Sequence, residues 1–367
     1  MTDLKRAIFT GGGTGGHLFP GLAVVEELRD RFPDFTPWFV GSERGIEKRI
    51  LKEAGLRHQS LPIRSSSDLR RAPISFLRSY WQSKQLAAKT LEKFRPEVVI
   101  GLGGFASVPV VRAAQAMRIP TLLLEQNTVL GRANKWLMNR ADKVCHSFEE
   151  SVPTGANLQK HIVTGNPVRK VIQELVSRER QSSTVQTILI LGGSQGAQAV
   201  NRIWLSVVQE LGAELDSLQI IHQTGESDCE MVREEYRQRG FSSITEPFFE
   251  VLPTLYRQAD LVISRAGATT LAEVACAGIP AILIPYHNSV GDHQQKNAEL
   301  FATSGAAKIV IQTAENEESS ELTVIISKLL NQPLTDMQQA IRTLAKPDAA
   351  KHVVDLVTEI IGSLQEN

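Results

Sequence analysis

Residues 11–17 read GGGTGGH, five glycines in six positions and then a histidine. Glycine weakens regular structure, so a cluster of it marks backbone that something must approach closely. N–H groups crowded at a helix start favour an anion such as phosphate. Imidazole titrates near neutrality, so His17 beside such a loop could take up a proton. A second cluster, GGSQGAQ at 192–198, puts Ser194 and Gln195 at another helix start. A third stretch, SRAGATTLAEVACAGIP at 264–280, turns on Gly267 and opens a helix with Thr269, Thr270 and Glu273. Thr270 and Glu273 have the spacing of a capping box. GLGGFASVP (101–109), LEQNTVLGRANKW (124–136) and HNSVGDHQQKNA (287–298) add Glu125, Gln126, Asn127, Asp292, Gln294 and Gln295. Polar side chains beside anion-binding turns suit a polyhydroxylated ligand that carries phosphate, such as a nucleotide sugar. Gly11, Gly13 and Gly16 also fit GxGxxG, and Glu43 could supply the acid that a dinucleotide site wants. The first loop alone therefore leaves open a nicotinamide enzyme, or a tight packing turn.

The elements that must position these groups alternate between short apolar runs and amphipathic stretches. Strand-like runs lie at 6–10, 37–41, 97–101, 120–125, 143–148, 187–192, 218–225, 260–264 and 280–285. Helical patterns include Gly21–Arg31, Ser83–Lys93 and Ala197–Leu211, and apolar residues at helical spacing recur in 351–367. Continuous apolar strands alternating with helices predict an α/β fold with parallel sheets covered on both faces. AIFTGGGTGGH and ILILGGSQGAQ each read strand, glycine turn, helix, and each opens one half of the chain. Gly165–Asn166–Pro167 reads as a turn between the halves. The expected organisation is 1–167, 168–345 and a C-terminal helix at 346–367 that could pack back on the first domain. Ligands of such sheets bind beyond the carboxyl ends of the strands.

Composition narrows the function. The chain has 367 residues, with 40 basic against 40 acidic side chains. This balance gives no global attraction to nucleic acid, and none is expected as a partner. Cys145, Cys229 and Cys276 are widely spaced, without a metal or redox motif, and suit a reducing compartment. No D-x-D or HExxH occurs, so neither a metal nor another cofactor is expected. The N-terminus lacks a signal-peptide core, and no window offers about 18 unbroken apolar residues, so a cytoplasmic location is expected. One stretch, IRSSSDLRRAPISFLRSYWQSK at 63–84, interleaves Arg64, Arg70, Arg71 and Arg78 with Ile74, Phe76, Leu77, Tyr80 and Trp81. Basic and aromatic residues together suit an anionic lipid surface. Ile74, Leu77 and Trp81 at helical spacing could equally face a core.

GGGTGGHLFPGLAV, LGGF, EQN…NKW, GNPVR, GGSQGA and RAGATTLAEVACAGIPA occur in that order. Together they resemble the MurG family, the UDP-N-acetylglucosamine–N-acetylmuramyl-(pentapeptide) pyrophosphoryl-undecaprenol N-acetylglucosamine transferases. The resemblance spans residues 5 to 310. It implies a GT-B fold, two Rossmann-like doubly wound domains facing across a cleft. It implies inverting transfer of GlcNAc from UDP-GlcNAc to the C4 hydroxyl of MurNAc in lipid I, giving lipid II, at the cytoplasmic face of the inner membrane.

The resemblance also implies residue roles. Glu273 would bind both ribose hydroxyls of the donor. Ser194 and the helix opening through Ala268, Thr269, Thr270, Leu271 and Ala272 would meet its phosphates and sugar. Phe249 would read uracil through its main chain, and Arg169 would bind the donor. Gln294 or Gln295, with Gln294 favoured, would meet the GlcNAc hydroxyls. Asn127 would lie near the transferred sugar. Thr14, Gly15 and Gly16 would lie near the reacting sugar and receive the acceptor's diphosphate. A general base is required, with His17 first and Glu125 second. A UDP-GlcNAc 2-epimerase of the same fold and a non-catalytic nucleotide-sugar binder are the alternatives.

Overall fold

The computed structural model describes residues 4–12, 15–64, 72–177, 184–192, 196–312 and 320–365. The chain divides into two compact units. Unit 1 comprises Met1–Lys170 with Asp348–Asn367, and unit 2 comprises Val171–Pro347.

Unit 1 is built on β1 (Arg6–Thr10), β2 (Thr36–Gly41), β3 (Arg57–Ser60), β4 (Val98–Gly101), β5 (Thr121–Glu125), β6 (Lys143–His146) and β7 (His161–Val163). Its helices are α1 (Gly15–Arg31), α2 (Gly45–Glu53), α3 (Pro73–Phe94), α4 (Ser107–Ala116) and α5 (Arg132–Leu137). All pairings are parallel, in the order β3-β2-β1-β4-β5-β6-β7. Successive strand residues point to opposite faces, so the central strands feed two cores. Phe9, Ile100, Leu122 and Leu124 enter one, and Ile8, Val99 and Leu123 enter the other. Burial on both faces is why these strands read as unbroken apolar runs.

A one-turn helix, α6 (Lys170–Gln173), leads the chain into unit 2. There β8 (Thr187–Leu191), β9 (Gln219–Gln223), β10 (Ser243–Glu246), β11 (Leu261–Ser264), β12 (Ala281–Leu283) and β13 (Ala307–Ile309) form the second sheet. It too is all parallel, in the order β10-β9-β8-β11-β12-β13. Its helices are α7 (Gln198–Leu211), α8 (Cys229–Arg239), α9 (Leu252–Gln258), α10 (Ala268–Ala277), α11 (His293–Thr303), α12 (Ser320–Leu330) and α13 (Thr335–Thr343). The last helix, α14 (Ala349–Gln365), belongs to unit 1. Its Val353, Val354, Val357, Ile360 and Ile361 pack in the core that holds Leu18, Val25 and Leu28 of α1.

In both units the strand order reverses beside the first strand. Unit 1 therefore has a switch point between β1 and β4, and unit 2 has one between β8 and β11. Crevices at such points are where doubly wound sheets bind ligands.

Candidate active site

At the switch point of unit 1 the glycines are needed first by the protein itself. Gly11 and Gly12 have φ of +135° and +138°, conformations that L side chains rarely adopt. A Cβ on Gly11 would lie 2.4 Å from the Gly103 carbonyl oxygen, and one on Gly12 would lie 2.5 Å from a carboxylate oxygen of Glu47. Gly13 and Thr14 lie outside the described residues; Gly15 is buried in the first turn of α1 and Gly16 is exposed. His17 is half-buried. Its ring rests on the loop after β4, where a Cβ on Gly103 would lie 2.9 Å from Cδ2 and 3.2 Å from Nε2. The LGGF turn thus makes room for the imidazole, and Gln126 ties that turn to β5 by donating from Nε2 to the Leu102 carbonyl at 2.9 Å.

The acid beneath this loop is not the one expected. Glu43 is exposed. Glu47, on α2, is 1% exposed and accepts from the Ser42 backbone N–H at 3.1 Å and from Ser42 Oγ at 2.6 Å. His58 Nε2 approaches its Oε1 at 3.4 Å. Glu47 fills the space behind the glycine turn, against Gly12 and Gly41. Sequence reasoning missed it, and its only signal was an acid at the otherwise apolar positions of α2.

Glu125 closes β5 and is buried. Its carboxylate accepts from the N–H groups of Asn127 (3.1 Å) and Gly131 (2.7 Å) and from Asn134 Nδ2 (2.9 Å). Burial raises its pKa, and these hydrogen bonds oppose the rise. The group therefore organises its own loop, and its oxygens are committed to that loop's donors. Asn127 Nδ2 lies 3.5 Å from the same carboxylate.

In unit 2, Gly193, Ser194 and Gln195 lie outside the described residues. At the start of α7 lies a buried polar chain that the sequence did not reveal. Trp204 Nε1 donates to the Tyr236 hydroxyl at 2.7 Å, and that hydroxyl lies 2.7 Å from His222 Nδ1. His222 Nε2 lies 3.0 Å from Asn201 Oδ1, and Asn201 Nδ2 donates to the Thr224 carbonyl and to Asp228 Oδ2. Asn201 commits its Nδ2 hydrogens to Thr224 and Asp228, so its Oδ1 accepts from His222 Nε2–H, and the direction follows along the chain because a neutral imidazole then accepts at Nδ1. Tyr236 donates to Nδ1, and His222 is the neutral Nε2–H tautomer. Burial pushes the His222 pKa down to about 3, against the pull of Asp228, and pushes the Tyr236 phenol well up. Gln198 Nε2 also donates to Asp228 Oδ1 at 3.2 Å. The start of α7 is thus fastened to the loop after β9.

The other loop of this switch point follows β11. Gly267 is the N-cap of α10, and no side chain caps the helix. The capping-box expectation for Thr270 and Glu273 is therefore overturned. Glu273 lies past the first turn, buried, and its Oε2 accepts from the Tyr256 hydroxyl at 2.9 Å. Ala268 and Thr269 are buried, Thr270 and Ala272 are half-buried, and Leu271 is fully buried, so a ligand could meet Leu271 only through its backbone. Phe249 is buried, and its N–H already donates to Gln223 Oε1 at 3.1 Å. Gln294 Oε1 accepts from the Tyr286 N–H at 2.9 Å, whereas Gln295 Nε2 donates to Glu299 at 2.9 Å on the solvent side of α11.

Two expectations shift between units or faces. Arg169, expected with the second domain, belongs to unit 1, where its guanidinium lies over the Phe19 ring at 5.1 Å. On α3, Ile74, Leu77 and Trp81 are 83%, 51% and 57% exposed, so the core-facing alternative fails for them. Phe76 corrects the surface expectation in the other direction. It is 4% exposed and packs on Phe105, with ring centroids 5.1 Å apart. Arg64 and Arg78 are exposed, and Arg70 and Arg71 lie outside the described residues.

Comparison with known proteins agrees with this geometry. Residues 7–146 match the glycosyltransferase family 28 N-terminal domain, and residues 187–353 match the C-terminal domain of the same family. The chain is 41% identical to the UDP-N-acetylglucosamine–N-acetylmuramyl-(pentapeptide) pyrophosphoryl-undecaprenol N-acetylglucosamine transferase of Geobacter sulfurreducens, over 98% of this chain and 99% of that protein. It is 37% identical to the protein of that name from Thermodesulfovibrio yellowstonii, over 97% and 99%. Among solved structures, Acinetobacter baumannii MurG is 32% identical, with a TM-score of 0.74 over 97% of this chain and 99% of that one. UDP-GlcNAc 2-epimerase from Neisseria meningitidis, at 15% identity and a TM-score of 0.66 over 97% and 99%, shares the fold.

Proposed function

The chain belongs to the MurG family of glycosyltransferases, and from that premise we propose how its two switch points divide the work. The enzyme transfers GlcNAc from UDP-GlcNAc to lipid I and forms lipid II for peptidoglycan. Identity of 41% over essentially the whole of both chains is the observation that carries this reading.

The chemistry is a displacement at the anomeric carbon with inversion. The C4 hydroxyl oxygen of MurNAc bonds to C1 as the bond from C1 to the β-phosphate oxygen breaks. The hydroxyl proton passes to His17, and the electron pair of the broken bond leaves with UDP. A positioned base is worth about 10²–10⁴-fold. What supports His17 is its place at the unit 1 switch point, half-buried on the LGGF turn between two glycine loops. Glu125 is the weaker choice because its own loop engages the carboxylate on both oxygens. Thr14, Gly15 and Gly16 would receive the acceptor's diphosphate on backbone N–H groups.

Unit 2 would hold the donor. Glu273 would accept from both ribose hydroxyls, a geometry that suits a carboxylate. The GGSQGA turn with Ser194, and the start of α10 at Ala268–Thr270, would face the diphosphate and stabilise the leaving UDP. Phe249 would meet uracil through its carbonyl, since its N–H is held by Gln223. Gln294 would turn from Tyr286 to the GlcNAc hydroxyls. Arg169, braced on Phe19, would add positive charge for the leaving phosphate, and Asn127 would lie near the transferred sugar.

No helix among the described residues is long and apolar enough to cross a membrane. Lipid I would then be met at the surface, at the cytoplasmic face, with Ile74, Leu77 and Trp81 entering the headgroup layer and Arg64 and Arg78 facing anionic lipid. The deciding experiment incubates labelled UDP-GlcNAc with a lipid I analogue. Label in the lipid fraction is expected. Label in free UDP-ManNAc would favour the epimerase alternative, and unchanged donor a binding protein.

A further inference from the structure

Glu273 on α10 and Tyr256 on α9 lie 17 residues apart, and the Tyr256 hydroxyl donates to Glu273 Oε2 at 2.9 Å. Both side chains are buried, Tyr256 almost completely. Phenylalanine would fill the same volume at residue 256, so packing explains the ring and leaves the hydroxyl to be accounted for. A glutamate has three rotatable bonds, and recognition of a vicinal diol needs both its oxygens in one fixed plane. A neutral phenol can fix that plane without cancelling the charge, as a lysine or arginine would, so the carboxylate stays a strong acceptor. A carboxylate offers about four acceptor sites, enough for a phenol and two hydroxyls. The carboxylate is steered away from the helix terminus and towards α9.

We infer that Tyr256 is a positioning residue for donor recognition, its hydroxyl holding the Glu273 carboxylate in the plane that receives the ribose 2′ and 3′ hydroxyls. This rests on the reading of Glu273 as the ribose-binding group. Removing the phenol would leave Glu273 in place without one of the donors that orient it, so the loss should fall on ribose recognition and spare the reaction itself.

The test measures UDP and 2′,3′-dideoxy-UDP binding by calorimetry in the full chain and in Y256F. The wild type should prefer UDP on the order of a hundredfold, because a site built for hydroxyls rejects an analogue lacking them. Y256F should bind UDP about tenfold more weakly, bind dideoxy-UDP as before, and raise KM for UDP-GlcNAc with kcat within about twofold. Equal weakening of both ligands, or of neither, would overturn the inference. A wild type indifferent to the ribose hydroxyls would instead remove Glu273 from the ribose, and the inference with it. A second measurement needs no substitution at 256. The chain has four tyrosines, and with ¹³Cζ-labelled tyrosine the Tyr256 resonance should move when UDP binds and stay when dideoxy-UDP binds. Identical movement with both would also overturn it.

Discussion

The two glycine turns are alike in sequence and topology but are supported by different physics. Behind the turn after β1 stands one carboxylate, Glu47, packed against Gly12 and Gly41 and held by Ser42 and His58. At the start of the helix after β8 stands a directional chain that runs from Trp204 through neutral groups and ends on the Asp228 carboxylate. The first support puts negative charge under a loop that carries a histidine. The second passes through Tyr236, His222 and Asn201 before it reaches a carboxylate, and it holds the start of a helix in place. The loop proposed to handle a proton and the loop proposed to hold an anion thus rest on different foundations.

The largest effect expected from this contrast is at His17. H17A should lower kcat by about 10²–10⁴-fold while leaving UDP affinity unchanged, and the acid limb of the kcat/KM profile should vanish with it. Near-normal turnover would put the base elsewhere and erase the distinction between the turns. Next comes Glu47. E47A leaves Ser42 and the glycine turn without their common partner and should cost about tenfold to a hundredfold in kcat, the loss of a buried hydrogen-bonded charge. E47Q should recover part of that loss. Equal loss in E47Q and E47A would assign the effect to charge and not to support.

The unit 2 chain makes a pH prediction. His222 is held neutral, with its pKa lowered from 6.5 to about 3. The unfolded chain therefore binds a proton that the native unit refuses. Stability is fully present above about pH 6.5 and falls as pH drops towards 3, by about 1.4 kcal/mol per unit in that window. From pH 7 to 5 the wild type should lose about 2 kcal/mol more than H222Q, read by hydrogen exchange of the β9 amides. Parallel losses in both proteins would place the acid sensitivity elsewhere. The smallest effect concerns the surfaces. R78E should weaken binding to anionic vesicles by roughly 1 kcal/mol per charge removed, whereas R237E on unit 2 should not. Equal effects would mean that the α3 surface is not special.

Much of this was legible in the sequence, and the failures have a pattern. All nine strands read from apolar runs are present. The four that were missed, β3, β7, β10 and β13, are the outer strands of the two sheets. RHQS, HIV, SITE and AKI are short and partly exposed, and a strand with one open side has no need of an unbroken apolar run. Helix α3 begins at Pro73 and joins the Ser83–Lys93 pattern to the helical spacing of Ile74, Leu77 and Trp81, which face solvent while Phe76 and Ser79 of the same turns are buried. Within the first loop the glycines were readable because close backbone approach and positive φ restrict residue type. Glu47, His222 and Tyr256 were not, since a buried polar group is recognised by its partner: Glu47 is held by a loop serine five residues before it, and the partners of His222 and Tyr256 lie 14 to 21 residues away on other elements. The capping spacing at Thr270 misled because Gly267 ended the loop three residues earlier.

The chain leaves unit 1 at Lys170 and returns at Asp348, and α14 supplies five apolar side chains to the N-terminal core. Order of synthesis and order of completion are therefore inverted. While residues 171–347 emerge from the ribosome and can close around their own sheet, the first unit still lacks the helix that packs on α1 in the core of Leu18, Val25 and Leu28. Domains usually finish in the order in which they are made. Here the half made first waits for the half made second, and nascent chains stalled before α14 would present an open apolar face to chaperones and proteases.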